Sequence, residues 1–252
     1  MEKIVFISGA TSGFGKACAL RFAKQGYDVI ITGRRKERLE ELKNLIESTC
    51  RQKVLPLCFD VQKRKDVFNH INNMPDAWKH INVLINNSGL AAGRDLFDEA
   101  DLDDWDIMID TNVKGLLYVS KALMPFLIAS KGHIINMGSI AGKEVYERGN
   151  AYCASKFAVD AISKSMRLDL LRHQIRVTNI SPGAADTEFS LVRFKGDEEK
   201  ANAMYKGYKP LTAEDIAELC YYVTSLPSHI CINELEVTCL AQANTYTTLK
   251  SY

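Results

Sequence analysis

The chain has 252 residues, 46% of them hydrophobic and 25% charged, with a formal net charge of +1. That length suits one large domain or two small ones and allows a substantial core, and the composition is that of an ordinary globular protein. A charge this close to zero gives no electrostatic reason for nucleic acid or an anionic membrane as partner.

Short β-rich runs alternate with amphipathic stretches from one end to the other. Strands are expected at 3–9, 28–34, 54–60, 81–87, 132–139, 175–183 and 232–240, several of them continuously apolar, as parallel strands covered on both faces are. Helical patterns lie between them at 13–25, 35–48, 63–73, 101–130, 149–173 and 212–226; the last opens on Thr212 with Asp215 three residues on, resembling a capping box. Repeated strand–helix–strand units imply right-handed crossovers and an α/β fold. The expectation is a single-domain, doubly wound parallel sheet of Rossmann type with about seven strands and helices on both faces. No linker or low-complexity tract divides residues 1–252. The strand order should reverse between the first and fourth strands, with ligand outside their carboxyl ends.

The seven cysteines are scattered, odd in number and never spaced as CxxC, and no HExxH occurs. That pattern suits reduced thiols and gives no metal site. No apolar run reaches the length of a membrane span, and "MEKIVFISGATSGFG" does not read as a secretory signal, so no membrane partner and a cytoplasmic location are expected.

"SGATSGFGKA" follows the first strand and opens the first helix, placing Gly9, Gly13 and Gly15 around Thr11, Ser12 and Phe14. Glycines let the backbone turn sharply and approach a pyrophosphate, and the N–H groups at a helix start favour an anion. The position at the first strand–helix junction favours dinucleotide binding. Where NAD sites usually carry an acid, the second strand ends in "TGRRKER". A guanidinium at Arg34 or Arg35 can fork onto a 2′-phosphate, which favours NADP(H). Downstream, "AYCASKFAV" sets Tyr152 and Lys156 four apart, on one face of a helix.

Taken together these motifs resemble the short-chain dehydrogenase/reductase family over essentially the whole chain. "SGATSGFG" is similar to the family's cofactor loop, with Ser8 where threonine is more usual; "NNSG" (86–89) resembles its Asn-Asn-Ala-Gly segment, with Ser88 in place of alanine. Asn112 in "DTNVKG", Ser139 in "NMGSIAG", Tyr152 and Lys156 match the catalytic tetrad, and "SPG" (181–183) with Thr187 matches the cofactor-covering loop. The resemblance implies cofactor contacts at Asp60, Val61, Asn86, Ser88, Gly89, Pro182, Gly183 and Thr187 as well as the glycine loop, Tyr152 and Lys156. Asp60 can equally hold the start of the next helix, and Asn86 can equally stabilise its strand end.

A free phenol has a pKa of ~10, too high for ready proton exchange at neutral pH, and an ammonium one turn away should lower it. Tyr152 is then the proton carrier, Ser139 stabilises charge on the substrate oxygen, and Lys156 also binds the nicotinamide ribose. The family implies that Asn112 links Lys156 to a water chain and that a homotetramer forms through the long helices.

The segment 187–211, where such proteins build a substrate lid, is polar and mixed in charge. "TEFSLVRFKGD" and "LTAEDIAELCYYVTSLPSHICINELEV" resemble the branch that oxidises serine and related 3-hydroxy acids with NADP. Such substrates carry a carboxylate, and Arg193 is the first candidate to meet it, ahead of Lys195 and Arg148. The alternatives are a 3-oxoacyl-carrier-protein reductase or broad carbonyl reductase, and a non-catalytic NADP(H) sensor.

Overall fold

A computed structural model describes residues 3–250. Its frame is one parallel sheet in the order β3-β2-β1-β4-β5-β6-β7, from β1 (Lys3–Ile7), β2 (Tyr27–Gly33), β3 (Val54–Cys58), β4 (Ile81–Asn86), β5 (His133–Met137), β6 (Arg176–Pro182) and β7 (Glu234–Val237). The order reverses between β1 and β4, as the alternation of patterns anticipates. β1, β2 and β5 are almost wholly buried because helices cover both faces.

One face packs against α1 (Gly13–Lys24), α2 (Lys36–Cys50) and α9 (Ala213–Ser225), whose side chains form a continuous core with β1 and β2 through Phe22, Leu39, Ile46 and Val223. The other is covered by α3 (Arg64–Asn72), α5 (Leu116–Ser130) and α6 (Asn150–Leu170), centred on Phe6, Leu84, Leu123 and Val177. His133, inside β5, is fully buried, and burial draws its imidazole down to about 3, so it sits neutral with its Nε2 against Thr178 Oγ1 at 2.7 Å.

Three elements differ from their patterns. The helical stretch at 101–130 is α4 (Leu102–Ile109), one π-helical turn (Asp110–Gly115) and α5 in unbroken succession. By length and composition Leu102–Ser130 could cross a membrane, which corrects the sequence estimate of its apolar extent; in the fold it lies against β4, α3 and α6. The expected strand 232–240 shortens to β7, because it has a neighbour on one side only, β6. The lid region, read from sequence without helices, contains α7 (Glu188–Arg193) and α8 (Glu198–Ala203).

The Thr212 capping box is present: Thr212 Oγ1 accepts from Asp215 N at 3.2 Å, and Asp215 Oδ2 accepts from Thr212 N at 2.8 Å. It starts the helix that packs on α1. Thr212→Ala should lower unfolding stability by about 1 kcal/mol, measured by urea denaturation, with no change in cofactor affinity.

Candidate active site

The carboxyl ends of the central strands open onto a cleft of about 430 Å³. Its floor is the glycine loop. Gly9 has φ +67°, and a Cβ there would sit 3.0 Å from Ser88 Cα; a Cβ on Gly15 would collide with the Gly9 carbonyl oxygen. The loop is drawn onto the end of β4 by Asn87, whose Nδ2 donates to the carbonyls of Ser8 (3.0 Å) and Gly9 (2.9 Å). Ser12 precedes α1 in extended conformation without a side-chain cap, so the first-turn N–H groups of α1 are available to an anion. Gly9, Thr11, Ser12, Gly13 and Phe14 line the cleft, whereas Gly15 serves the close approach of loop to helix.

Arg34, Arg35, Asp60 and Val61 line the same end of the cleft. Arg35 bridges to Thr11 Oγ1 (2.7 Å) and Ser12 Oγ (3.0 Å). Asp60 accepts from Gln62 N at 3.0 Å, holding a turn rather than capping α3, and stands 3.9 Å from Arg34. Ser88, Gly89, Pro182, Gly183 and Thr187 also line the cleft. Asn86 does not: its Nδ2 donates to Ser120 Oγ and Asn136 Oδ1, both at 2.8 Å, so of its two readings the side chain serves strand-end support. The cradle fits a dinucleotide: close backbone around Gly9, an open helix start, and cations where a 2′-phosphate would lie.

At the other end stand Ser139, Tyr152 and Lys156. Ser139 ends the β5 loop and caps a short 3-10 turn, Ile140–Gly142, its Oγ accepting from Ala141 N at 3.1 Å. That turn lies hard on α6, since a Cβ on Gly142 would be 2.7 Å from the Lys156 carbonyl oxygen. The Lys156 ammonium donates to Met137 O at 2.9 Å and lies 5.8 Å from the Tyr152 ring centre. Burial draws it down to about 8. Burial also pushes the Tyr152 phenol above its ordinary value, opposed by the Arg193 guanidinium and a hydrogen bond with Ser139. The cation that offsets burial at the phenol is thus Arg193, where sequence spacing assigned that part to Lys156.

Asn112, in the π turn, lies one layer behind the cleft. Its Oδ1 accepts from Leu90 N (2.8 Å) and its Nδ2 donates to Leu90 O (2.8 Å) and Ser155 Oγ (2.9 Å); Ser155 Oγ in turn donates to Tyr152 O at 2.7 Å. Asn112 therefore fixes the loop after β4 to the first turns of α6.

Arg193 ends α7 with its guanidinium turned inward, only 9% exposed. It stacks over Phe189 (4.9 Å) and Tyr152 (5.0 Å) and donates to Tyr146 Oη at 3.1 Å. Among the described residues no carboxylate pairs with it. Lys195, by contrast, is paired with Asp104 at 2.9 Å, and Arg148 lines a separate surface hollow. A buried cation flanked by rings and open to the cleft can receive a small anion.

Sequence reasoning missed Tyr146 and Glu188. Both line the cleft, and nothing in their local sequence marks them; Tyr146 is defined only by meeting Arg193, 47 residues away.

Residues 3–197 match the family model for short chain dehydrogenases. A sulfoacetaldehyde reductase of Chromohalobacter salexigens is 44% identical over 96% of each chain. An NADP-dependent 3-hydroxy acid dehydrogenase of Escherichia coli K12 is 43% identical over 95% of this chain and 96% of its own. The closed form of a serine dehydrogenase complexed with NADP+ superposes with a TM-score of 0.92 at 41% identity, covering 99% of this chain and 100% of that one.

Two outcomes follow from the site. Lys156→Met should raise stability near pH 7 by up to about 3 kcal/mol, because the buried ammonium disfavours the folded state. The unfolded chain binds more protons than the folded one between about pH 8 and the ordinary lysine range, so the variant's advantage should shrink as pH rises through that window, read by denaturation at several pH values. Tyr152→Phe should lower kcat by about 10³-fold while leaving NADPH binding, followed by nucleotide fluorescence, within twofold.

Proposed function

Because this chain belongs to the short-chain dehydrogenase family, we propose that it uses NADP(H) to interconvert the 3-hydroxyl of small hydroxy acids and the corresponding semialdehyde or ketone. L-Serine, L-allo-threonine and 3-hydroxypropionate are the type substrates. The observation that carries this reading is the buried Arg193 guanidinium beside the Tyr152 phenol, with no carboxylate partner among the described residues. An anion held on Arg193 and a hydroxyl held on Tyr152 and Ser139 define the two ends of one short molecule.

The residues divide the work as follows. The nicotinamide, when bound, supplies the hydride acceptor or donor. Tyr152 Oη takes the alcohol proton during oxidation and returns one to the carbonyl oxygen during reduction. Ser139 Oγ stabilises charge on that oxygen. Lys156, held by Met137 O, would bind the cofactor ribose through its ammonium. Because burial holds the phenol above its ordinary value, Tyr152 enters reduction already protonated at neutral pH, whereas oxidation needs its proton removed. Oxidation should therefore accelerate as pH rises.

An extended acyl thioester has no free carboxylate for Arg193, which disfavours the acyl-reductase alternative. A sulfonate is a different matter. In 2-hydroxyethanesulfonate the sulfur takes the place of the carboxyl carbon of 3-hydroxypropionate, so the same cation and the same proton carrier serve both. The exposed apolar side chains Leu117 on α5 and Phe157 and Leu168 on α6 support the homotetramer.

The test is NADPH absorbance with NADP and L-serine, L-allo-threonine, 3-hydroxypropionate or 2-hydroxyethanesulfonate, and with NADPH and malonate semialdehyde or an acetoacetyl thioester. Turnover of the free acids, rising with pH in the oxidative direction, is expected. Arg193→Ala should raise KM for them by about 30- to 100-fold, the loss of a charge-assisted pair. Turnover of the thioester alone, or an unchanged KM in the variant, would refute this assignment.

A further inference from the structure

The arginines at the phosphate end of the cleft are not waiting empty-handed. Arg35 donates through Nε and Nη2 to Thr11 Oγ1 (3.1 and 2.7 Å), through Nη2 to Ser12 Oγ (3.0 Å) and through Nη1 to Glu188 Oε2 (3.0 Å). Arg38 Nη1 lies 2.6 and 2.9 Å from the two oxygens of the same carboxylate. Glu188 belongs to neither β2 nor the glycine loop. It is the first residue of α7, in the lid, and the Thr187 before it stands over the loop, 3.4 Å from where a Cβ on Gly13 would be. Burial raises its carboxyl, but the bonds and charges of Arg35 and Arg38 outweigh this and hold it below the usual range.

We propose that Glu188 is a specificity-determining residue that tempers the preference for a 2′-phosphate, its carboxylate standing in for that phosphate on Arg35 and Arg38 until the phosphate displaces it. A guanidinium has five N–H donors in a fixed fork, and Arg35 commits four of them: Nε and both on Nη2 to Thr11 and Ser12, and one on Nη1 to Glu188. With one N–H left, an incoming phosphate can grip this fork at two points only by exchange. A phosphate monoester carries close to two charges at neutral pH and three acceptor oxygens, so it prevails over a single carboxylate. A neutral ribose hydroxyl does not. The exchange also frees the start of α7, five residues from Arg193, so occupancy of the phosphate end is signalled to the residue that receives the substrate anion. The inference does not depend on which hydroxy acid is turned over.

The test uses cofactor fragments rather than turnover. 2′,5′-ADP carries the 2′-phosphate and 5′-ADP lacks it; neither has a nicotinamide to touch Thr187. By titration calorimetry Glu188→Gln should bind 2′,5′-ADP about 5- to 20-fold more tightly than the unmodified protein, with 5′-ADP changed less than twofold, the range expected for removing a competing charge. In the unmodified protein, which needs no variant, 2′,5′-ADP should speed amide hydrogen exchange across 188–193 and 5′-ADP should not. Unchanged or weaker 2′,5′-ADP binding by the variant, equal gains for both nucleotides, or unchanged or slower exchange across α7 would overturn the proposal and leave Glu188 as a support that orients Arg35.

Discussion

Parallel strands can be joined only by crossovers, and β1 and β4, neighbours in the sheet, send theirs to opposite faces. The crevice left between the departing chains is the constraint on which the site depends. The glycine loop leaves β1 on one side, the Asn87–Gly89 segment leaves β4 on the other, and Asn87 ties them together across the gap. Close approach there requires a residue without a side chain at Gly9 and at Gly15. The cleft follows the rim of this seam, with Arg34 and Arg35 at one end and Tyr152 at the other.

The catalytic end is assembled by packing one backbone on another. The 3-10 turn after β5 rests on α6 at Lys156, which sets Ser139 beside Tyr152, while Asn112 and Ser155 pin the first turns of α6 to the loop after β4. Tyr152, Lys156 and Arg193 are all buried. Low dielectric strengthens each charge interaction and penalises each unpaired charge. A phenol above its ordinary value and an ammonium drawn down are two results of that single condition, and it is what makes a guanidinium with no carboxylate partner among the described residues ready for an anion.

Much of this was legible in the sequence because the relevant spacings are local. Tyr152 and Lys156 share a helix face, the glycine loop is contiguous, and the Thr212–Asp215 box is a three-residue signal. Asn86 and Asn87 part company because side chains alternate along a strand: one residue shifts the contact from Ser120 and Asn136 inside the fold to the glycine loop. The two lid helices have six residues each, too few for a 3.6-residue period to show. Glu188 and Arg38 are 150 residues apart, and no local pattern records such a pair. The Tyr146–Arg193 bond was hidden for the same reason.

The segment after β7 has its own bearing on the whole. Gln242 Oε1 accepts from Ala184 N at 2.7 Å, at the root of the lid, and Thr245 donates to Glu144 Oε2 from both its amide and its hydroxyl. Tyr246 Oη reaches the Val145 carbonyl. Both anchoring points belong to loops that shape the substrate end of the cleft. One short stretch without a helix of its own therefore clasps the root of the lid and the loop before α6 together, so any opening of the cleft at that end has to loosen the tail as well.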